Sequence, residues 1–293
     1  HFNRKKDQFT HYFKKANNPN SLSNNYVWSI FEDSKENLWA GTYGGGLNQY
    51  NRKEGVFTHY RNKIDEPTSL GNDTVYSIVE DVHDNLWIGT GGGGLNHFNT
   101  TSHQFTTYRS QPSNLNSLSN DSIRSLLEDS QGNLWVGTRG GGLNHFNIKT
   151  KEFSRYRNKE NAPDSISNDI VWSILEDKLG NIWLGTDGGV NYLNTKTKQF
   201  IHYRYQSNGT NHLSNDSVRS VIEGNDNQQP GTIISADKQG IVVATGKNAL
   251  RIEVLQIPGK KALPAADILN ARASWFVIGQ SINGTDTNLE QNK

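Results

Sequence analysis

Four short segments of alternating apolar and polar residues recur along much of the chain. Alternation of this kind indicates strands with one buried face. A turn rich in Gly and Asn separates the first two segments, and a run of glycines follows the second; both residue types accept the backbone angles of tight turns. Examples of the four segments are Val171 to Asp177, Asn133 to Thr138, Leu95 to Asn99 and Phe153 to Arg157.

The four segments form a unit that repeats every 48 residues, opening at Ser21, Ser69, Ser117 and Ser165. A fifth opening, near Leu213, comes one residue early because the fourth copy has a shorter glycine run. Four antiparallel strands in a unit of about 40–50 residues are typical of a propeller blade. We therefore predict an all-β fold, a β-propeller of four-stranded blades, over residues 1–224.

Two residue types recur in every complete copy and are interpreted as scaffold. Large aromatic side chains dominate the cores of β-proteins, so we expect the tryptophan of the second strand to pack between blades. These tryptophans are Trp39, Trp87, Trp135 and Trp183. The recurring glutamates at the end of the first strand are Glu32, Glu80, Glu128 and Glu176.

Composition agrees with this fold and limits its chemistry. The 28 glycines and 33% hydrophobic content suit an all-β repeat with many turns. The net charge of +1 gives no strong overall attraction to nucleic acid or membrane. No cysteine is present, which excludes disulfides and thiolate chemistry. The chain starts at His1 and has no Met, so we interpret it as a fragment or a processed chain. No apolar run reaches the roughly 20 residues of a membrane helix.

The copies resemble the two-component regulator propeller repeat, with its Asp-x-x-Gly-Asn-Leu-Trp-x-Gly-Thr pattern followed by Gly-Gly-Leu. The resemblance covers residues 1–223 and recurs in four full copies. In that family the propellers form the sensor region of bacterial hybrid histidine kinases and related signalling proteins, usually outside the cytoplasmic membrane. Some members recognise glycans. The resemblance implies a periplasmic or extracellular ligand-binding module that is not an enzyme.

Both ends of the repeat region fall inside a blade. The N-terminal residues match the end of a copy and offer a last strand, whereas residues 213–223 match a first strand. Joined, they would form one shared closing blade that hides two open sheet edges. That blade still lacks its middle strands. We therefore predict five blades, of which the last is shared between the two ends.

Residues 230–280 resemble the end of methionyl-tRNA formyltransferase, through Gly259 to Ala262, Asp267 to Asn270 and Trp275 to Gly279. In that family the C-terminal domain is an OB-like barrel that contacts tRNA. The family's catalytic domain has no counterpart here, so formyl transfer is not expected. The resemblance implies tRNA binding as an alternative function, although acidic residues nearly balance the basic ones. The basic residues concerned are Lys238, Lys247, Arg251, Lys260, Lys261 and Arg272.

The tail also contains a hairpin that imitates the repeat, since residues 236–246 copy the Gln-Gly turn and apolar strand of residues 128–138. Residues 241–245 and 250–255 therefore fit the two missing middle strands, followed by a short C-terminal helix around residues 265–272. In this arrangement residues 225–293 complete the last blade and end in a disordered tail at 281–293. A recombined or engineered chain remains an alternative to a natural fusion.

Positions that differ between otherwise similar copies are candidates for ligand contact. In a propeller the first strand lines the central channel, so we expect its variable residues to meet near the channel mouth. Aromatic faces and guanidinium groups suit sugars and anionic groups. The alternative is that these residues fill space between blades. One variable position begins the first strand, at Trp28, Tyr76, Arg124, Trp172 and Arg219. The other follows Gly-Thr, at Tyr43, Gly91, Arg139 and Asp187.

Signals for other chemistry are weaker. His97 and His145 occupy equivalent places in adjacent copies, and a structural role is favoured over a shared metal. The Asp-containing turns lack the alternating oxygens and distal Glu of an EF-hand. The sequence shows no nucleophile–base motif, phosphate loop or metal-ligand spacing. We predict no catalytic residue, no metal and no cofactor.

Three functions remain open from the sequence. The leading hypothesis is a non-catalytic propeller that binds a glycan or another polar small molecule at the channel mouth. The alternatives are a tRNA-binding remnant of methionyl-tRNA formyltransferase and a structural propeller without a ligand. The propeller predicts a periplasmic or extracellular location, and the tail predicts a cytoplasmic one.

Overall fold

The computed structural model consists of strands joined by turns and loops. It describes residues 7–205, 213 and 215–222, together with the backbone of Phe2–Asn3 and of five strands between 233 and 264. This described part contains no helix, which confirms the all-β prediction. The chain forms two compact units, His1–Arg155 and Tyr156–Lys293. None of the described residues belongs to a helix that is long and apolar enough to cross a membrane.

Each complete copy folds into a four-stranded antiparallel sheet whose strands lie in chain order, as predicted. A two-stranded sheet precedes them, formed by β1 (Phe2–Asn3) and β2 (Gln8–Phe9). The first copy has β3 (Val27–Glu32), β4 (Leu38–Thr42), β5 (Leu47–Asn51) and β6 (Val56–Tyr60). The second has β7 (Val75–Glu80), β8 (Leu86–Thr90), β9 (Leu95–Asn99) and β10 (Gln104–Tyr108). The third has β11 (Ile123–Glu128), β12 (Leu134–Thr138), β13 (Leu143–Asn147) and β14 (Glu152–Tyr156). The fourth has β15 (Val171–Glu176), β16 (Ile182–Thr186), β17 (Gly189–Asn194) and β18 (Gln199–Tyr203).

Trp39 and Trp87 pack between neighbouring copies, which agrees with the interpretation of the recurring tryptophans as core. Trp39 of the first copy lies in one cluster with Val75 and Phe98 of the second. Trp87 of the second copy lies in the same way against Phe146 of the third. Such packing requires close backbone approach: a Cβ added at Gly89 would lie 2.6 Å from the Ile123 Cγ2 of the next copy. The core of this fold therefore lies between sheets rather than within one of them.

An aspartate recurs in the turn before each tryptophan, and its hydrogen bonds explain why it does. In the first copy, Asp33 Oδ1 accepts hydrogen bonds from the backbone N–H groups of Lys35 and Asn37. Its Oδ2 accepts the indole N–H of Trp39 at 2.8 Å. The carboxylate thus closes the turn and orients the core side chain at once. The indole nitrogens of Trp135 and Trp183 bond Asp129 and Asp177 in the same way.

Backbone hydrogen bonds tie the first copy to the second, the second to the third and the fourth to the fifth. The N–H of Gly46 donates to the Asp73 carbonyl at 2.7 Å, and the N–H of Gly94 donates to the Asp121 carbonyl at 3.0 Å. Gly189 makes the equivalent bond to Asp216, which shows that residues 215–222 open a fifth copy. The glycine run of one copy is therefore completed by the loop that starts the following copy.

The tail builds the fifth four-stranded sheet. Its strands are β19 (Ser220–Ile222), β20 (Ile233–Asp237), β21 (Gly240–Thr245) and β22 (Asn248–Ile252). Their order in the sheet is β19-β22-β21-β20. A separate pair follows, β23 (Val254–Gln256) and β24 (Ala262–Pro264). In the backbone, residues 241–245 and the strand after them lie in one sheet with β19, as in the arrangement expected from the sequence.

The strand composition of this sheet differs from the expected shared blade in two ways. The tail supplies three strands instead of two, because β20 takes the edge that we assigned to the N-terminal strand. The N-terminal strands β1 and β2 pair with each other instead. The strand next to β19 is β22 rather than β21. Ten residues separate β19 from β20 in the sequence. The predicted helix at 265–272 and the end at 281–293 lie outside the described residues.

Candidate functional site

The first variable position of each complete copy occupies a β-bulge. In the first copy Val27 faces Thr42 and Ser29 faces Gly41, so the strand carries one extra residue at Trp28. The same register shift occurs at the equivalent place in the other three copies. A bulge bends the strand and re-aims the side chain of the extra residue, and bulges are frequent beside functional sites. The extra residues are Trp28, Tyr76, Arg124 and Trp172.

Three of these bulge residues meet in what we call the aromatic stack, defined by Trp28, Tyr76 and Arg124. The ring centroids of Trp28 and Tyr76 are 5.4 Å apart in an edge-to-face arrangement. The guanidinium carbon of Arg124 lies 3.8 Å from the centre of the Tyr76 ring. Both contacts are favourable, since a ring edge and a cation each complement a π-face. Trp28 remains 58% exposed at one end of this row.

In the second copy, the residue at the second variable position, Gly91, affects where the side chain at the first, Tyr76, can lie. The N–H of Gly91 donates to the Thr74 carbonyl, so Gly91 lies beside the start of its own first strand. A Cβ at Gly91 would lie 2.8 Å from Tyr76 Cε2, a distance that real Cβ contacts do not show. Glycine at this position therefore leaves the space that the Tyr76 ring occupies.

The fourth copy reaches a different arrangement at the same two positions, which we call the indole clamp and define by Trp172, Asp187, Ser217 and Arg219. The Trp172 Nε1–H donates to Asp187 Oδ1 at 2.8 Å. The Ser217 hydroxyl donates to the same oxygen at 2.9 Å. The guanidinium carbon of Arg219 lies 3.7 Å from the centre of the indole ring. Here the bulge residue is bonded at its edge and covered on its face.

The predicted site residues therefore fall into two groups with defined contacts and two residues beside them. The aromatic stack contains three of them, and the indole clamp contains Trp172, Arg219 and Asp187. Tyr43 and Arg139 are exposed, and each is held by a backbone hydrogen bond to the loop before its first strand. Five of the six predicted nucleic-acid contacts lie outside the described residues, and for Arg251 only the backbone of β22 is described. The five are Lys238, Lys247, Lys260, Lys261 and Arg272.

His97 and His145 each pair with an aspartate of their own copy. His97 Nε2 lies 2.8 Å from Asp81 Oδ2, and His145 Nε2 lies 3.2 Å from Asp129 Oδ2. Burial raises the pKa of both carboxyl groups, but hydrogen bonds from the histidine and from two backbone N–H groups outweigh it, so each pKa lies below its ordinary value. This geometry gives the two histidines a structural role. The described residues include no group of three or more side chains able to hold a metal ion.

Glu80 and Glu128 link neighbouring copies. Glu80 accepts the backbone N–H and the hydroxyl of Ser34, which lies in a turn of the first copy. Glu128 accepts the backbone N–H of Val82, the equivalent turn residue, which offers no hydroxyl. Burial, followed by the charge of Asp81, raises the pKa of Glu128. Their interpretation as scaffold agrees with these contacts.

Sequence reasoning missed the bulge and the dependence of one variable position on the other. Both positions were identified because the copies differ there, but they were treated as two independent sets. In two copies the second position suits the first, since Asp187 bonds Trp172 and Gly91 leaves room for Tyr76. The first copy, with Trp28 and Tyr43, does not follow this pattern, so the pairing gives no general sequence signal.

Family comparison supports the two-part composition of the chain. Residues 21–44, 69–92, 117–140 and 165–188 match the family model named two component regulator propeller. The four copies are thus similar to regulator propeller repeats. Residues 214–273 match the model of the formyl transferase C-terminal domain. This second match begins earlier than residue 230, so it includes β19 and also Asp216 and Val218, whose backbone groups bond to the fourth copy.

Relatives of the two parts differ in kind. Over 57 residues the chain is 63% identical to methionyl-tRNA formyltransferase of Colwellia psychrerythraea; this covers 20% of the chain and 17% of that relative. Two similar solved structures come from B. thetaiotaomicron and carry names of extracellular domains, one of a hybrid two component system and one of a one component system. The first has a TM-score of 0.60 and 19% identity over 85% of this chain and 45% of that one. The second has a TM-score of 0.55 and 23% identity over 86% of this chain and 30% of that one. At these identities the likeness shows the propeller fold.

Proposed function

We propose that this chain is a non-catalytic ligand-binding propeller, the sensing module of a bacterial signalling receptor, which binds a glycan or another polar small molecule through the aromatic stack. The observation that carries the proposal is the row of Trp28, Tyr76 and Arg124, in which an indole 58% exposed is held edge-on to a ring that a guanidinium covers. Scaffold tryptophans such as Trp39 are 1% exposed. The fold does not require an exposed tryptophan at this position.

Two further exposed aromatic residues support this proposal. Tyr26 and Tyr43 are 74% and 54% exposed, and the Tyr43 N–H donates to the Tyr26 carbonyl at 2.9 Å. Both flank the strand that carries Trp28. Large exposed aromatic surface on a soluble protein marks interaction sites, and flat ring faces suit the apolar faces of sugars. We expect these residues to extend the surface that a saccharide covers.

The proposed location is extracellular or periplasmic. The similar structures carry the names of extracellular domains, and the repeats match a regulator propeller model. A sensing module placed there meets ligands from the surroundings of the cell. Secretion of the chain fused to a periplasmic reporter would test this placement.

Isothermal titration against a panel of neutral and acidic oligosaccharides tests the binding. We expect saturable binding by the wild type and at least a tenfold loss for Trp28→Ala, about 1.4 kcal/mol. Phe13→Ala is the matched control, because Phe13 is 51% exposed in the same unit and lies outside the stack. The recovered oligosaccharide should be intact, which separates binding from cleavage. Absence of binding across the panel, or equal binding by Trp28→Ala, would contradict the proposal and favour a structural propeller without a ligand.

A second candidate function is tRNA binding by the tail. It is favoured by the 63% identity to methionyl-tRNA formyltransferase over 57 residues. Contacts to phosphates release counterions, so such binding must weaken steeply as salt rises. We would measure tRNA binding by filter retention at low and at physiological salt, with Lys260→Ala/Lys261→Ala as the variant. Lack of retention at low salt would remove this function.

A further inference from the structure

In the described part of the chain, the guanidinium of the indole clamp is exposed to solvent and no ion pair to an acidic side chain is seen for it. Two other surface arginines of the same part are paired: Arg157 lies 2.8 Å from Asp169, and Arg52 lies 2.9 Å from Glu32. Arg219 is exposed, and its recorded contact in the described part of the chain is the face of Trp172. A stacked guanidinium keeps the N–H groups at its edge available for hydrogen bonds in the ring plane.

The clamp holds this guanidinium in a defined orientation. Its support, the indole of Trp172, is fixed at its edge by Asp187, which the Ser217 hydroxyl bonds in turn. Arg219 therefore loses less side-chain freedom on binding than an arginine that extends freely into water. The face of Trp172 that Arg219 covers is closed to sugar stacking, so this site differs in chemistry from the aromatic stack.

We propose that the indole clamp is an oxyanion subsite in which Arg219 binds the carboxylate of an acidic saccharide in a bidentate manner, with Trp172 and Asp187 as positioning residues. This inference rests on the proposed function and names the ligand class at a second site. A planar carboxylate matches the fork of the guanidinium, and charge-assisted pairs of this kind are stronger than neutral hydrogen bonds.

The charge of Asp187 limits the range of this attraction. The Asp187 carboxylate is accepting two hydrogen bonds from within the clamp, and its charge offsets that of Arg219 at a distance. Selectivity for the ligand carboxylate therefore comes from short-range geometry. We expect only a modest loss of affinity when salt rises, unlike binding to an open basic patch.

The test compares trigalacturonate with the same trisaccharide after its carboxyl groups have been reduced, by isothermal titration at low ionic strength. We expect the wild type to bind the acidic trisaccharide at least tenfold more tightly. Arg219→Gln should remove that preference and leave binding of the reduced trisaccharide unchanged. Arg219→Lys should restore little of it, because an ammonium keeps the charge without the fork. Arg157→Gln is the matched control, since it removes an arginine that is already paired.

Each outcome is decisive, with thermal unfolding of every variant confirming that it is folded. If the reduced trisaccharide binds and Trp28→Ala weakens it, but Arg219→Gln leaves the preference intact, the subsite is wrong while the proposed function stands. If the acidic trisaccharide depends on Arg219 but not on Trp28, the subsite stands without the aromatic stack. Full rescue by Arg219→Lys would show that charge alone acts, and absence of binding to either trisaccharide would overturn both ideas.

Discussion

The interior of this propeller and its bulge positions differ in whether equivalent residues of the copies make the same contacts. In the interior, most equivalent residues make equivalent bonds: Trp39, Trp135 and Trp183 each donate to the aspartate of their turn. At the bulges, equivalent residues have different partners, since Tyr76 contacts a ring and a guanidinium whereas Trp172 is bonded by a carboxylate. The comparison shows that the repeated residues build a uniform scaffold. The copies differ in chemistry at the extra residue of each bulge, which has no partner in the strand pairing.

The largest effect should come from the interior. Phe146 is fully buried, and its ring centroid lies 5.5 Å from that of Trp87 and 4.4 Å from that of Phe153. Phe146→Ala should lower the free energy of unfolding by about 3–5 kcal/mol because it leaves a cavity between two copies. Trp28→Ala, at a bulge, should change it by less than about 0.5 kcal/mol. Urea unfolding of both variants checks the contrast, and a similar loss for Trp28→Ala would make Trp28 a core residue.

The second-largest effect should come from changing Gly91, which leaves space for the Tyr76 ring. Gly91→Ala places a methyl group against the Tyr76 ring and should displace it from Trp28 and Arg124. We expect at least a tenfold loss of saccharide binding with a small change in stability. The double variant Gly91→Ala/Tyr76→Ala should bind no worse than Tyr76→Ala alone. Further loss in the double variant would mean that Gly91 acts on something other than the ring.

A smaller effect should come from the hydrogen bond of the tryptophan indole nitrogen, which differs between copies. Trp87 Nε1 is buried without a hydrogen-bond partner, whereas Trp39 Nε1 donates to Asp33. Asp81, the equivalent of Asp33, instead bonds His97. Replacing each tryptophan by phenylalanine should therefore cost roughly 1 kcal/mol more at Trp39 than at Trp87. Chemical unfolding of the two variants gives this difference, and equal costs would show that the aspartate bond contributes nothing.

The smallest effect is a loss of stability in acid. Asp81 and Asp129 have pKa values below the ordinary 3.8 because the bonds they accept favour the charged form. A depressed pKa in the folded state contributes stability above the unfolded pKa, and this contribution is lost as pH falls through the folded pKa. The difference between the urea midpoints at pH 5 and at pH 3 should therefore be smaller for Asp129→Asn than for the wild type. An identical pH dependence in the variant would assign acid sensitivity to other groups.

Much of the scaffold could be predicted because every feature was repeated four times. The 48-residue period, the alternation of each segment and the tryptophan of the second strand fixed the sheets and the contact between copies. The last sheet could be predicted only in part. β19 pairs with β22, which is distant in the sequence, rather than with β21, and no residue pattern encodes that choice.

The candidate site was located by sequence, but its contacts were not. Comparison of the copies identified Trp28, Arg124 and Trp172 correctly as variable residues in a shared position. The β-bulge arises because Val27 and Ser29 pair with two consecutive residues of the next strand, Thr42 and Gly41. No single residue type predicts such pairing. The orientation of Trp172 also needs Asp187, 15 residues away. Contacts of this kind come from folding and have no local signature.

The junction between the fourth copy and the last sheet has a consequence for how a propeller can end. β19 and β22 both lie within the match to the formyl transferase C-terminal domain, and the backbone just before β19 bonds to the fourth copy through Asp216 and Val218. Backbone donors and acceptors are spaced alike in every strand, so an open edge accepts partners of unrelated ancestry. A sheet that matches a different family can therefore follow a series of repeat copies: it needs strands of suitable length, not a surface that evolved with its neighbours.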